Sequence, residues 1–227
     1  MSRRLPPGPG GRVHYGATTQ DIMDTGLALQ MVRSLAALER RIAELGDVLA
    51  DRVTEHASTV MAARTHGQQA VPTTFGATLA TLLAQFTRHR QRLAEAAPRV
   101  GVISLSGAGG TAAAFGPHAA AVRSGMARLL GLRDTATPLA CGPRRGRRVR
   151  LAVLVAHRDM RAPGPQHHRP LPDRDRRGLR ALRRSPRRVP WRVLPELAVT
   201  AGTALTETTT LLRGLRVDAR RMRAVER

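Results

Sequence analysis

Ala63–Gly76 reads Ala-Arg-Thr-His-Gly-Gln-Gln-Ala-Val-Pro-Thr-Thr-Phe-Gly. It sets a histidine, two glutamines, three threonines and two glycines between two apolar helical patterns. Pro72 lacks an amide hydrogen and fixes its own backbone angle, so one helix must end near it and another begin. Thr73 or Thr74 can cap the second helix, whose N-terminal amides and dipole favour an anion. Polar side chains this dense, where a helix pair needs only a turn, point to a binding surface. A capped interhelical turn with a solvated histidine accounts for the window equally well.

Upstream, Met31, Leu35, Leu38, Ile42, Leu45 and Leu49 step alternately by four and three. That spacing puts one apolar stripe on a long helix. Asp21 or Thr25 is read as its cap, and His56, where the pattern fades, as a solvated surface residue. Downstream, Phe75, Leu79, Leu82, Leu83, Phe86 and Leu93 predict a second helix from about Thr74 to Ala96. Arg88, His89, Arg90 and Arg92 form its wet end, and Pro98 is expected to end it. Val100–Leu105 is a short apolar run leading into Gly107-Ala108-Gly109-Gly110, which permits close backbone approach. A third helix is expected from about Pro117 to Leu130, buried through Val122, Met126, Leu129 and Leu130, with His118 at the surface. Beyond Trp191, Val193, Leu194, Leu197, Leu205, Leu211, Leu212 and Leu215 restore a helical stripe.

The chain has 227 residues and a formal net charge of +22. All 38 basic residues are Arg, which points first to GC-rich codons and only then to a polyanionic partner. The charge is uneven: Gly142–Pro190 holds 16 Arg, 3 Asp and 7 Pro in 49 residues, with no apolar period. Such composition cannot bury enough apolar surface to offset ordering entropy, so disorder is expected there. The single cysteine, Cys141, excludes an internal disulfide. No apolar run approaches the roughly 18 residues of a membrane span, and Met1–Gly11 lacks the apolar core of a secretory signal. A cytoplasmic location is expected. His157, His167 and His168 have no partners at metal-ligand spacing, and neither a metal nor another cofactor is expected.

A second polar window, His14–Thr25, reads His-Tyr-Gly-Ala-Thr-Thr-Gln-Asp-Ile-Met-Asp-Thr. Thr18-Thr19-Gln20-Asp21 and Thr65-His66-Gly67-Gln68-Gln69 resemble the first two active-site segments of the fumarase/aspartase superfamily of lyases. The resemblance is to the branch of 3-carboxy-cis,cis-muconate cycloisomerase and adenylosuccinate lyase. Ser106-Gly107-Ala108-Gly109-Gly110-Thr111 resembles the glycine-rich turn after the second segment. Leu215-Arg216-Val217-Asp218 followed by Arg221-Met222-Arg223 resembles the C-terminal helix and turn of the cycloisomerases.

The resemblance implies an all-α long-helix bundle, here incomplete, and a homotetramer whose sites combine segments from three subunits. It implies proton removal beside a carboxylate and loss of a leaving group from the neighbouring carbon, or the reverse. His66 would be the acid or its orienter. Thr65, Gln68 and Gln69 would hold one carboxylate of a small polycarboxylate substrate, and Thr18, Thr19 and Gln20 a second, with His14 touching the same ligand. The Gly107–Gly110 turn would be scaffold. The third segment, a Ser/Gly loop before Met-Pro-His-Lys-Arg-Asn-Pro, carries the catalytic serine; here Met160 is followed by Arg161 and the chain has no Lys. Little or no activity is therefore expected.

The organisation read from this is residues 1–141 as a partial lyase bundle, 142–190 as a disordered Arg/Pro-rich segment, and 191–227 as a lyase tail. With codons chosen freely, Gln166–Gly178 back-translates so that the next frame resembles family sequence, which suggests that the middle segment is out of frame. Many cycloisomerases of the branch have tryptophan at the position of His66, where adenylosuccinate lyases have histidine. Val13-His14-Tyr15-Gly16 and the tail favour the cycloisomerase side; an adenylosuccinate lyase-like enzyme is the alternative. An Arg-rich nucleic-acid-binding protein is the reading from another class, against which stand one Trp, one Tyr and three Phe for stacking. A helical interaction module built on the stripes alone would ignore both polar windows.

Overall fold

The computed structural model describes residues 13–135 and 189–224. Residues 1–12, 136–188 and 225–227 lie outside the description, including the expected disorder at 142–188 and the histidines at 157, 167 and 168. Val189 and Pro190, the last two residues of the Arg/Pro-rich segment, already belong to a helix.

The order is α1 (Thr19–Glu55), β1 (Val60–Thr65), β2 (Gln68–Thr74), α2 (Phe75–Val100), two 3-10 turns (Ala108–Gly110 and Ala113–His118), α3 (Ala119–Leu130), α4 (Val189–Gly214) and α5 (Ala219–Ala224). Among the described residues helix dominates, as the stripes require, with one small antiparallel strand pair. Two compact units result, one from residues 13–34 and 96–135, the other from 35–95 and 189–224.

In the second unit the core is one apolar cluster. Ile42, Leu45 and Leu49 of α1 are buried with Leu79 and Leu93 of α2 and Leu205 and Leu212 of α4. Leu35, Leu38, Phe75, Leu82, Leu83 and Phe86 pack against it, so the stripes read from spacing are the faces that meet. Burying each leucine contributes about 1.5–3 kcal/mol. Leu211 is exposed, because its neighbour Leu212 takes the inward position. Arg52, in the last turn of α1, donates from Nε to the Leu212 carbonyl (3.0 Å) and from Nη2 to the Arg213 carbonyl (2.8 Å). It thereby satisfies carbonyls that the end of α4 leaves without helical donors.

Two sequence expectations fail in this unit. His89 is buried, not part of a wet end, with its ring edge-on to Phe86 at 6.0 Å. His56 is buried as well. The helix that carries the stripe beyond Trp191 starts at Val189.

In the first unit the apolar run after α2 is buried. Ile103 donates to the Arg133 carbonyl (3.0 Å), and Arg133 to the Gly101 carbonyl (2.8 Å). Pro98 does not end α2: a bond from the Gly101 amide to the Ala97 carbonyl (2.9 Å) carries the turn past it, and the helix reaches Val100. Helix α3 buries Arg123 and Ala127, while Val122 and Leu129 are exposed. The reason is an ion pair. Arg123 Nε lies 2.5 Å from Asp134, whose other oxygen accepts from the Ser124 hydroxyl at 2.6 Å.

Candidate functional site

The Ala63–Gly76 window is not a plain interhelical turn. It is most of a β-hairpin inserted between two helices, which register shows: Val60 faces Thr74, Met61 faces Thr73, Ala62 faces Pro72, Arg64 faces Gln69 and Thr65 faces Gln68. The register shifts between Ala62 and Arg64, beside Pro72, which has no amide to give to a ladder. His66 and Gly67 form the two-residue loop with φ of 51° and 80°. Positive φ at both positions is the type I′ pattern, whose twist suits a hairpin. Thr65, His66, Gln68 and Gln69 thus gather at the exposed hairpin tip.

The hairpin's base is tight. The Phe75 amide donates to the Thr59 carbonyl (2.9 Å), and the His56 carbonyl accepts from Thr59 (3.1 Å) and Gly76 (2.9 Å). The His56 ring leans on Phe75 at 5.3 Å, and its Nδ1 lies 3.2 Å from the Thr59 hydroxyl. These contacts bury the imidazole that spacing had placed in solvent. Of the two candidate caps for α2, Thr74 serves: its hydroxyl accepts from the Ala77 amide at 3.1 Å.

The first polar segment opens α1. Thr18 is the cap, not Asp21 or Thr25. Its hydroxyl accepts from the Asp21 amide (3.2 Å), and its own amide and hydroxyl donate to Asp21 Oδ2 (2.9 and 2.8 Å). This is a capping box, with aspartate in the place usually held by glutamate. Asp21 Oδ2 also accepts from the Gly107 amide (3.1 Å), and Oδ1 from the Ser106 amide (2.9 Å) and the Ser104 hydroxyl (3.3 Å). Thr25 exchanges bonds with the Ser104 backbone, 3.0 Å each way. Asp21 is fully buried. Burial pushes its carboxyl up, but the donors from Thr18, Ser106 and Gly107 outweigh that and hold it below the ordinary aspartate value.

Thr19 is exposed, and Gln20 donates from Nε2 to Asp24 at 2.7 Å. His14 is exposed with φ of 66°, just before Gly16, against which the Phe115 ring is pressed. The Gly107 turn packs on this segment: a Cβ on Gly107 would lie 2.7 Å from the Gly16 carbonyl. Sequence reasoning named Thr18 as a ligand contact and left out Asp21, Ser104, Ser106 and His56. A threonine three residues before an aspartate was the available signal for the first of these.

Among the described residues, three non-glycine residues have positive φ: His14, His66 and Ala112. Two of them are the histidines named from sequence. Left-handed backbone at a side chain with a Cβ stores strain, and such strain collects at functional sites.

Residues 4–141 match the profile of a family described as Lyase. The chain belongs to this lyase family. It is 36% identical over 263 residues to 3-carboxy-cis,cis-muconate cycloisomerase of Pseudomonas aeruginosa, covering 93% of this chain and 56% of that protein. It is 42% identical over 123 residues to adenylosuccinate lyase of Methanocaldococcus jannaschii, covering 54% of this chain and 27% of that protein. The crystal structure of 3-carboxy-cis,cis-muconate lactonizing enzyme from Pseudomonas putida superposes with a TM-score of 0.69 at 31% identity, covering 93% of this chain and 57% of that one. This lyase-family chain thus spans about half the length, or less, of the curated relatives it matches. The family relationship accounts for the helical architecture. Among the described residues, no helix is long and apolar enough to cross a membrane.

Proposed function

We propose that the chain derives from an enzyme acting on a small polycarboxylate by proton abstraction beside a carboxylate, with β-elimination or its reverse. The reading most like it is 3-carboxy-cis,cis-muconate cycloisomerase. The observation that carries it is the left-handed backbone at His14 and His66, which presents both imidazoles to solvent at polar turns. In this reading His66 supplies or orients the acid, since an imidazole can both donate and accept a proton. Thr65, Gln68 and Gln69 donate to one carboxylate, and Thr19, Gln20 and His14 to another, from a different subunit of a homotetramer. Donors set in advance around a developing charge are the main source of stabilisation for a carbanion-like intermediate.

The chain has no Lys and no counterpart of the serine-bearing segment. Members of a catalytic unit do not contribute independently, so binding without appreciable turnover is the expected behaviour. Residues 142–190 enter the proposal as an out-of-frame stretch, and a gene whose alternative frame there lacks family-like peptide overturns that part. The cellular site proposed is cytoplasmic. His66, together with the match to adenylosuccinate lyase, favours a second reading in which the ligand is adenylosuccinate. Thermal melts test both. Stabilisation by a tricarboxylate or by adenylosuccinate, abolished in His66→Ala and Thr19→Ala, is expected; unchanged melting with every such ligand refutes the reading.

A further inference from the structure

We propose that Asp21 is a positioning residue for the first polar segment, and that Thr18 belongs to this scaffold and not to the ligand contacts. The inference rests on the reading of Thr19 and Gln20 as carboxylate contacts. A buried carboxylate is tolerated only when it is well hydrogen-bonded, and Asp21 collects donors from two stretches of chain. From its own helix start come the Thr18 amide and hydroxyl, and from 83 to 86 residues away come Ser104, Ser106 and Gly107. One oxygen, Oδ2, takes the Thr18 pair and Gly107, so the helix start cannot turn without breaking its bond to the glycine turn. Thr18 Oγ1 is occupied twice, donating to Asp21 Oδ2 at 2.8 Å and accepting from the Asp21 amide at 3.2 Å. Thr19 and Gln20, the next two residues, carry side chains outside this knot: Thr19 is exposed and Gln20 donates to Asp24. Their orientation follows from where Asp21 pins the first turn.

The carboxylate does what its amide cannot. Asn in its place keeps one acceptor oxygen and turns the other position into a donor, facing amide hydrogens that need an acceptor. Thr18→Ala removes one hydroxyl but leaves Ser104, Ser106 and Gly107 bound to the carboxylate. The two substitutions damage the same cap, yet only the first loosens the segment from the glycine turn.

Titration calorimetry with propane-1,2,3-tricarboxylate on the full chain, well below each variant's melting temperature, separates the roles. Asp21→Asn is expected to weaken binding by about tenfold or more, and Thr18→Ala by less than about threefold although it too melts earlier. Asp21→Glu, which keeps the charge on a longer arm, is expected to fail like Asp21→Asn and serves if that variant does not fold. Hydrogen exchange adds a readout without ligand: protection at Ser106 and Gly107 falls in the Asp21 variants and holds in Thr18→Ala, while Leu45 and Leu49 stay protected in all. Wild-type affinity in either Asp21 variant, or equal losses in Asp21→Asn and Thr18→Ala, overturns the inference alone. Failure of the wild-type chain to bind the tricarboxylate overturns the reading beneath it and the inference with it.

Discussion

His66 shows the conflict between stability and use at the scale of one residue. A Cβ at φ of 51° costs about 1–2 kcal/mol relative to ordinary helical or extended backbone, though histidine tolerates it better than branched residues. Asparagine is at ease there, and Asn-Gly is the favoured type I′ pair. His66→Asn is therefore expected to stabilise the chain by about 0.5 kcal/mol in a denaturant titration while abolishing tricarboxylate binding. A variant that is less stable and still binds would contradict both halves. Gly76 is the opposite case, a residue that packing alone dictates. A Cβ there would lie 2.7 Å from the His56 carbonyl oxygen and 2.8 Å from the Val53 carbonyl oxygen. These are backbone atoms that cannot turn aside. Gly76→Ala is expected to cost about 2 kcal/mol, seen as a melting temperature lower by roughly 5 °C.

At the scale of an element, α4 depends on a residue far away in sequence. Its last carbonyls are satisfied by Arg52 rather than by a glycine cap of its own. Arg52→Ala is expected to cost about 1 kcal/mol, since the guanidinium is partly exposed and water replaces part of what it supplies. Amide exchange should rise in the last turn of α4 and little elsewhere; uniform acceleration would mean that the bonds are incidental. The hairpin teaches a complementary lesson. Its polar residues were visible as a cluster, but their strand geometry was not. Threonine and glutamine do not alternate by polarity, so the period of two that betrays a half-buried strand is missing. The long helices do bury one face, and their stripes were legible from the steps of three and four.

For the whole molecule, acid is the revealing variable. Asp21 and Asp134 both titrate below the ordinary aspartate value once folded. In each, burial opposes ionisation, and hydrogen bonds outweigh it; Arg123 adds its charge beside Asp134. A depressed folded-state pKa gives stability that is complete above the unfolded-state value and is lost as pH falls through the folded one. The chain is therefore expected to lose stability below the ordinary carboxylate range, aggravated by a net charge already at +22. The stability gap between wild type and Asp21→Asn should narrow over that same window. Urea melts across a pH series measure it, and a gap that widens in acid would reverse the sign argued here.

Helical class, the apolar faces of α1, α2 and α4, and the two polar segments were all present in residue spacing and type. Those properties are local: a face is set by steps along one helix, and a motif by its neighbours. Which polar groups go inside was decided only by tertiary structure. Asp21 and Arg123 are buried where the fold brings partners to them: Asp134 meets Arg123, and Ser104, Ser106 and Gly107, more than eighty residues away, meet Asp21. Taking a charge or an imidazole out of water is unfavourable until its donors and acceptors have been brought to it. Along α1 the Thr18–Asp21 spacing marks a cap, but nothing there reveals the donors from Ser104, Ser106 and Gly107.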